Sequence, residues 1–262
     1  MSRGLICPAS LVHAVAPFQR LGMSRVFIVV DSQIEEGGKL VGAFPTMMQM
    51  VNAIKDAISW HSPTTVAVTA ISSTDLTDGL LHPSQGDNLT AEDIIWCPLT
   101  LEVPNVLQFP ARNIFQACRQ VGSLRQRVEQ KFRYATGDIS QGLETLYLPV
   151  VLTAKGPLYG EVISEEKTTH TYQQPRDLPD NQRQPLYHLA YQLLRSLSAP
   201  PAVYLLQFGY NEQELVFDRL IPFPDVPAIA SIGVQEPNLF TCHWLCLTGQ
   251  PIFDLTILPK SE

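Results

Sequence analysis

Residues 144–220 run in the order strand, strand, helix, strand, strand, and no other feature constrains the fold of this chain as tightly. Glu144–Thr153 and Leu158–Ile163 are β-rich segments joined at Lys155-Gly156-Pro157. Pro179-Asp180 opens a helix that runs to Leu197, with Asp180 as its N-cap and Pro185 in its first turns. Val203–Tyr210 and Glu214–Leu220 are again strands, turned at Asn211–Gln213, and one further strand is expected at Thr168–Tyr172 inside the polar stretch 164–180. Strand pairs set around a single helix predict the α+β class, with mixed or antiparallel sheets and a few packed helices.

The first third has another rhythm. A helix is expected over residues 5–21, followed by Arg25-Val-Phe-Ile-Val-Val-Asp31, a compact apolar run that reads as a buried strand. Gly37-Gly38 marks a hairpin turn before Lys39–Phe44, and Thr46–Trp60 places Met47, Met50, Val51, Ile54 and Ile58 on one helical face. Thr64–Ile71 is β-branched and reads as a strand, Leu81–Asn88 as an exposed loop, and 94–109 as two short strands broken by Pro98 and Pro104. The chain therefore divides into an N-terminal lobe (1–110), a basic helix and linker (111–143) and a C-terminal lobe (144–262).

Composition removes several function classes. A net charge of −7 lacks the general basic surface of a nucleic-acid binder. No apolar run is long enough to span a membrane, and Pro8 and Pro17 break the N-terminal apolar stretch, so a signal peptide is not expected. Five scattered cysteines point to reduced thiols in the cytoplasm. Charged residues make up only 16% of the chain, which suits a protein partner or a homo-oligomer.

No nucleotide-binding glycine loop, zinc-protease helix or nucleophile elbow is present, and the sequence names no cofactor. Cys242-His243-x-x-Cys246 would put two thiols on one helical face, but a structural zinc needs four ligands and no second pair exists, so two small core residues are the simpler account. The helix 111–134 buries Ile114, Cys118, Val121, Val128 and Phe132, while Arg112, Arg119, Arg125, Arg127, Lys131 and Arg133 stand against Glu129 alone. The rest of the chain carries twice as many acids as bases. Such a face either docks an acidic partner, a phosphate or RNA, or is screened by the protein's own carboxylates. Phe223, in the proline-rich stretch 222–227, is a further candidate contact.

Residues 144–252 resemble the C-terminal part of ATP-grasp domains, most nearly that of N5-carboxyaminoimidazole ribonucleotide synthetase. Glu144-Thr-Leu-Tyr147 stands where that family has a segment of the type E-L-S-V, and Val203-Tyr-Leu-Leu-Gln-Phe208 stands for a strand ending in Glu-Phe. Asp218-Arg-Leu-Ile-Pro-Phe-Pro224 stands for N-E-x-x-P-R-P, and Phe240, His243, Gly249 and Pro251 fall where the family has the same residue types. The resemblance implies a nucleotide site near Glu144, Gln207, Asp218 and Arg219. It departs from the family at the metal: those enzymes hold Mg²⁺ between carboxylates on the two strands, and the matching positions here are Gln207 and Arg219.

Three functions follow as expectations. The first is a non-catalytic interaction or assembly protein of the bacterial cytosol, with a degenerate nucleotide pocket. The second is an ATP-dependent carboxylate–amine ligase, which needs acids such as Glu144, Glu161 or Asp225 near Asp218. The third is an RNA-associated protein that uses residues 112–133.

Overall fold

The computed structural model describes residues 25–35, 39–41, 44–62, 66–77, 93–105, 107–140 and 142–259. The helix expected over 5–21, the Gly37-Gly38 turn and the loop 81–88 lie outside them.

The apolar run Arg25–Val30 forms β1, the middle of a three-stranded parallel sheet. After it come the short antiparallel pair β2 (Gln33–Glu35) and β3 (Lys39–Val41), then helix α1 (Pro45–His61). Strand β4 (Ala67–Ser72) lies on one side of β1 and β5 (Ile94–Pro98) on the other, with the short α2 (Ser73–Thr77) between them in sequence. A parallel strand needs a crossover, and α1 supplies it. Pro45 starts α1 where its missing N–H costs nothing, and Met50, Val51, Ile54 and Ile58 are buried as the helical spacing predicts. Among the described residues the second strand expected before residue 109 does not form, because Pro104 and the turn beside it leave 99–105 and 107–109 irregular.

The single helix expected over 111–134 is three pieces: α3 (Arg112–Arg119), α4 (Val121–Arg127) and a π-helical turn, Val128–Phe132. Gln120 breaks the first from the second with φ −93° and ψ 64°. Val121, Gly122 and Ser123 are weak helix formers, and each piece is held by its own buried side chains, Ile114, Phe115 and Cys118 before the break and Leu124 and Val128 after it. Arg133 ends the run in the left-handed region, φ 64°.

The second sheet has seven strands. They are β6 (Ala135–Thr136), β7 (Leu146–Thr153), β8 (Gly156–Tyr159), β9 (Val162–Glu166), β10 (Thr171–Arg176), β11 (Ala202–Asn211) and β12 (Glu214–Ile221), in the order β10–β9–β7–β11–β12–β6, with β8 also on β7. All pairs are antiparallel except β12–β6. Helix α5 (Asp180–Ser196) follows β10 and buries Leu186, Leu189, Leu193 and Leu194; Pro179 occupies its N-cap position, so Asp180 is the first helical residue instead of the cap. A 3-10 helix, Val226–Ser231, leads to β13 (Gln235–Glu236), to α6 (Leu239–Leu247) and to β14 (Thr256–Ile257) on β13. Helix α6 is apolar all round and lies in the core, started by Asn238, whose side chain accepts from the N–H groups of Phe240 and Thr241. One contiguous set of buried side chains runs from Val26 and Ile54 through Leu148 and Leu206 to Phe240. Among the described residues no helix is long and apolar enough to cross a membrane.

Candidate functional site

Strand register assembles the site. Tyr147 on β7 is the partner of Gln207 on β11, and Gln207 is the partner of Arg219 on β12. Tyr147 also pairs with Ile163 on β9; two residues on along the same face comes Glu165, the partner of Tyr172 on β10. Directly paired residues share a face, so Tyr172, Glu165, Tyr147, Gln207 and Arg219 form a row across five strands. The ladder slips once, between Gln207 and Phe208, and the extra residue on β12 is Asp218.

That bulge puts Asp218 in a closed environment, 0% exposed. Arg125 of α4 donates from Nη2 to Asp218 Oδ1 at 2.6 Å and from Nε to the Asp218 carbonyl at 3.1 Å. Arg219 Nε donates to the same Oδ1 at 3.2 Å, and the Ile139 N–H donates to Oδ2 at 3.4 Å. Nearby, hydrogen bonds from Ser140 Oγ (2.6 Å) and N (3.0 Å) hold the Asp138 carboxyl below its usual range, with the charges of Arg125 and Arg219 acting in the same direction.

The other end of the row is acidic and phenolic. Tyr147 donates its hydroxyl to Glu165 Oε2 at 3.1 Å, and His170 Nδ1 lies 3.2 Å from Glu165 Oε1. Tyr147 and Tyr172 meet edge to face, 6.0 Å between centroids. Burial, then the charges of Glu165 and Asp225, push Tyr172 up to about 12; burial and the Glu165 charge raise Tyr147 well above the usual phenol range. Asp225 caps the 3-10 helix by accepting from the Val226 N–H at 2.8 Å, and burial raises its own carboxyl. A groove of about 850 Å³ between α1 and residues 232–241 shares no lining residue with the row.

No protein-family model and no curated protein matches the sequence. Solved structures do resemble it. An ADP complex of N5-carboxyaminoimidazole ribonucleotide synthetase matches with a TM-score of 0.66 at 9% identity, over 92% of this chain and 81% of that one. The Thermotoga maritima synthetase of the same name matches at 0.62 and 10%, over 90% and 79%. Glycinamide-RNase-transformylase T from Mycobacterium tuberculosis matches at 0.55 and 11%, over 87% and 80%. The fold is ATP-grasp-like.

The likeness extends beyond residues 144–252, to which the sequence resemblance was confined, and takes in the N-terminal sheet as well. It also corrects the expectation of a non-catalytic interaction or assembly protein. The proteins this chain resembles over about nine-tenths of its length include synthetases, one of them solved with ADP, and this favours the ligase alternative over that expectation.

The residues present do not fit a divalent metal held between two carboxylates. The paired positions on β11 and β12 are an amide, Gln207, and a guanidinium, Arg219. The Asp218 carboxylate between them is already bonded to two guanidiniums and a backbone N–H. Among the described residues no group of three histidines, cysteines or acids is arranged to hold a metal ion.

Of the other residues singled out in the sequence, Glu144 is bonded to Arg176 of β10 at 3.1 and 3.4 Å, and Glu161 lies 3.8 Å from Arg183; neither is bonded to Asp218. The six cations of 111–134 do not form one solvated face. Arg125 points inward, Arg119 pairs with Glu102 at 2.8 Å, Arg112 donates to Gln108 at 3.2 Å, Arg127 donates to the Ser196 carbonyl at 3.3 Å, and Lys131 stands 5.8 Å from the Phe132 ring centroid. Arg133 takes the left-handed position that closes the π-helical turn. Phe223 is not an exposed contact: it is 3% exposed and stacks on Phe115 at 5.9 Å. Cys242 and Cys246 are buried thiols of α6, raised by burial, and His243 beside them is a buried acceptor for the Val203 N–H at 3.2 Å.

Sequence reasoning reached Gln207, Asp218 and Arg219 but passed over Tyr147, Glu165 and Tyr172 as site residues. Their signal is polar or phenolic side chains in strand segments, and it becomes a row only when the register between distant strands is known.

Proposed function

We propose that this chain is an ATP-dependent ligase that joins a carboxylate to an amine, with the nucleotide held against the Tyr147–Gln207–Arg219 face of the second sheet. The observation that carries the reading is the likeness, over about nine-tenths of the chain, to synthetases that include an ADP complex. The row supports it chemically. It has a guanidinium at one end and, at the other, Glu165 and Asp225 beside two phenols. An anionic group and an amine are thus accommodated at opposite ends of one surface. Glu165 accepts hydrogen bonds and carries the negative charge that attracts a protonated amine. Tyr147 keeps its proton at neutral pH and orients Glu165 through the 3.1 Å bond.

The test is ADP release from ATP, measured in a coupled assay with bicarbonate or small carboxylates and a panel of amines including aminoimidazole and glycinamide ribonucleotides. Release that requires both an acid and an amine is the expected result, and Glu165→Gln should raise the KM for the amine by about tenfold with a smaller effect on that for ATP. An absence of nucleotide turnover and of nucleotide binding across the panel would overturn the reading.

A further inference from the structure

We propose that Arg219 acts as a built-in cation for a phosphate group, so that this chain binds nucleotide without a divalent metal. The inference rests on the nucleotide reading above and goes beyond it by assigning the charge that meets the phosphate.

Asp218 needs one counter-charge and has two. Arg125 satisfies it fully, giving Nη2 to the carboxylate and Nε to the carbonyl of the same residue. Arg219 touches the carboxylate through Nε alone. Its two terminal nitrogens have no hydrogen-bond partner among the described residues, and its side chain is 42% exposed. The three residues together carry one excess positive charge, presented by the Arg219 fork. A guanidinium fork of this kind matches two oxygens of a phosphate. The Gln207 amide is its cross-strand neighbour, on the same face, and offers further donors without adding charge. Asp138 is the acid that opposes this reading. It is exposed and its Oδ1 accepts from Ser140; the charges of Arg125 and Arg219 do reach it, but through water that screens them, and it makes no ion pair with Arg219. A bound polyphosphate needs positive charge close to its oxygens. Here one of the paired strand positions is the Arg219 cation, which would repel a metal ion, and the other is a neutral amide that would hold one poorly.

The experiment is calorimetric titration of ADP, and of adenosine as the phosphate-free control, into the full chain in EDTA and in millimolar MgCl₂. The expected result is an ADP affinity equal within about twofold in the two buffers, falling at least about tenfold in Arg219→Gln while adenosine binding is unchanged. Arg219→Lys should recover part of the loss, and an unaltered melting curve for each variant shows that the fold is intact. ADP binding that requires Mg²⁺ would overturn the inference and leave the ligase reading standing. So would equal ADP affinity in the parent and Arg219→Gln. If ADP binds in neither buffer, both readings fall together.

Discussion

A carboxylate without solvent contact has to be neutralised, and Asp218 is neutralised by Arg125 across 2.6 Å with Arg219 in support. Removing Arg125 leaves Asp218 with two long contacts, to the half-exposed Arg219 guanidinium and to the Ile139 N–H, so Arg125→Met should destabilise the chain by about 3 kcal/mol in urea unfolding. The double variant Arg125→Met/Asp218→Leu should recover most of that; a loss equal to the sum of the two single changes would mean that pairing is not the source. His243 gives a pH-dependent case. Burial drives its pKa from 6.5 to about 3. Between those values the unfolded chain binds a proton that the folded chain does not. Stability therefore falls as pH drops from 6.5 towards 3, by up to ~1.4 kcal/mol per pH unit. In His243→Asn, which keeps an acceptor for the Val203 N–H, the melting temperature should depend less steeply on pH below 6.5. At this scale the sequence disclosed residue types and little of their company. Gln207, Asp218 and Arg219 are adjacent to recognisable strand patterns, whereas Asp225 meets Tyr147 and Tyr172 only through a chain reversal that no local pattern encodes.

Elements were more legible than contacts. The apolar run of β1, the helical stripe of α1 and the order of strands around α5 all follow from periodicity, because each is a local property of consecutive residues. The basic helix failed for the opposite reason. Its apolar stripe is compatible with one straight helix, but the backbone breaks at Gln120, and tertiary burial overrides a weak local preference around Gly122. Open space surrounds a side chain built at Gly122, so Gly122→Ala should stabilise α4, raising the free energy of unfolding by about 0.5–1 kcal/mol. Gly209 of β11 is the contrary case. A methyl group there would come 2.9 Å from the Glu144 carbonyl, so Gly209→Ala should lower the melting temperature by separating β11 from the segment leading into β7. Phe223, read from its proline-rich setting as a surface residue, shows that proline marks an irregular backbone and not an exposed one.

At the scale of the whole molecule, the two sheets share one buried core, joined where α1 packs on α6. Amides of β1 and β11 should then exchange with deuterium at the same global free energy under native conditions; a separate, earlier opening of β1 would mean two independently folding halves. The α+β class could be read from strand order, yet the breadth of the ATP-grasp likeness could not, since the N-terminal sheet carries no motif and its place is set by packing. The bulge at Asp218 has a consequence of its own. Side chains alternate between faces, so the position of Arg219 in the row depends on counting residues. Lengthening or shortening β12 by one residue would swap which side chains join the row without altering any of their identities. Single-codon insertions and deletions, more than substitutions, are therefore the changes by which this surface could be gained or lost in one step.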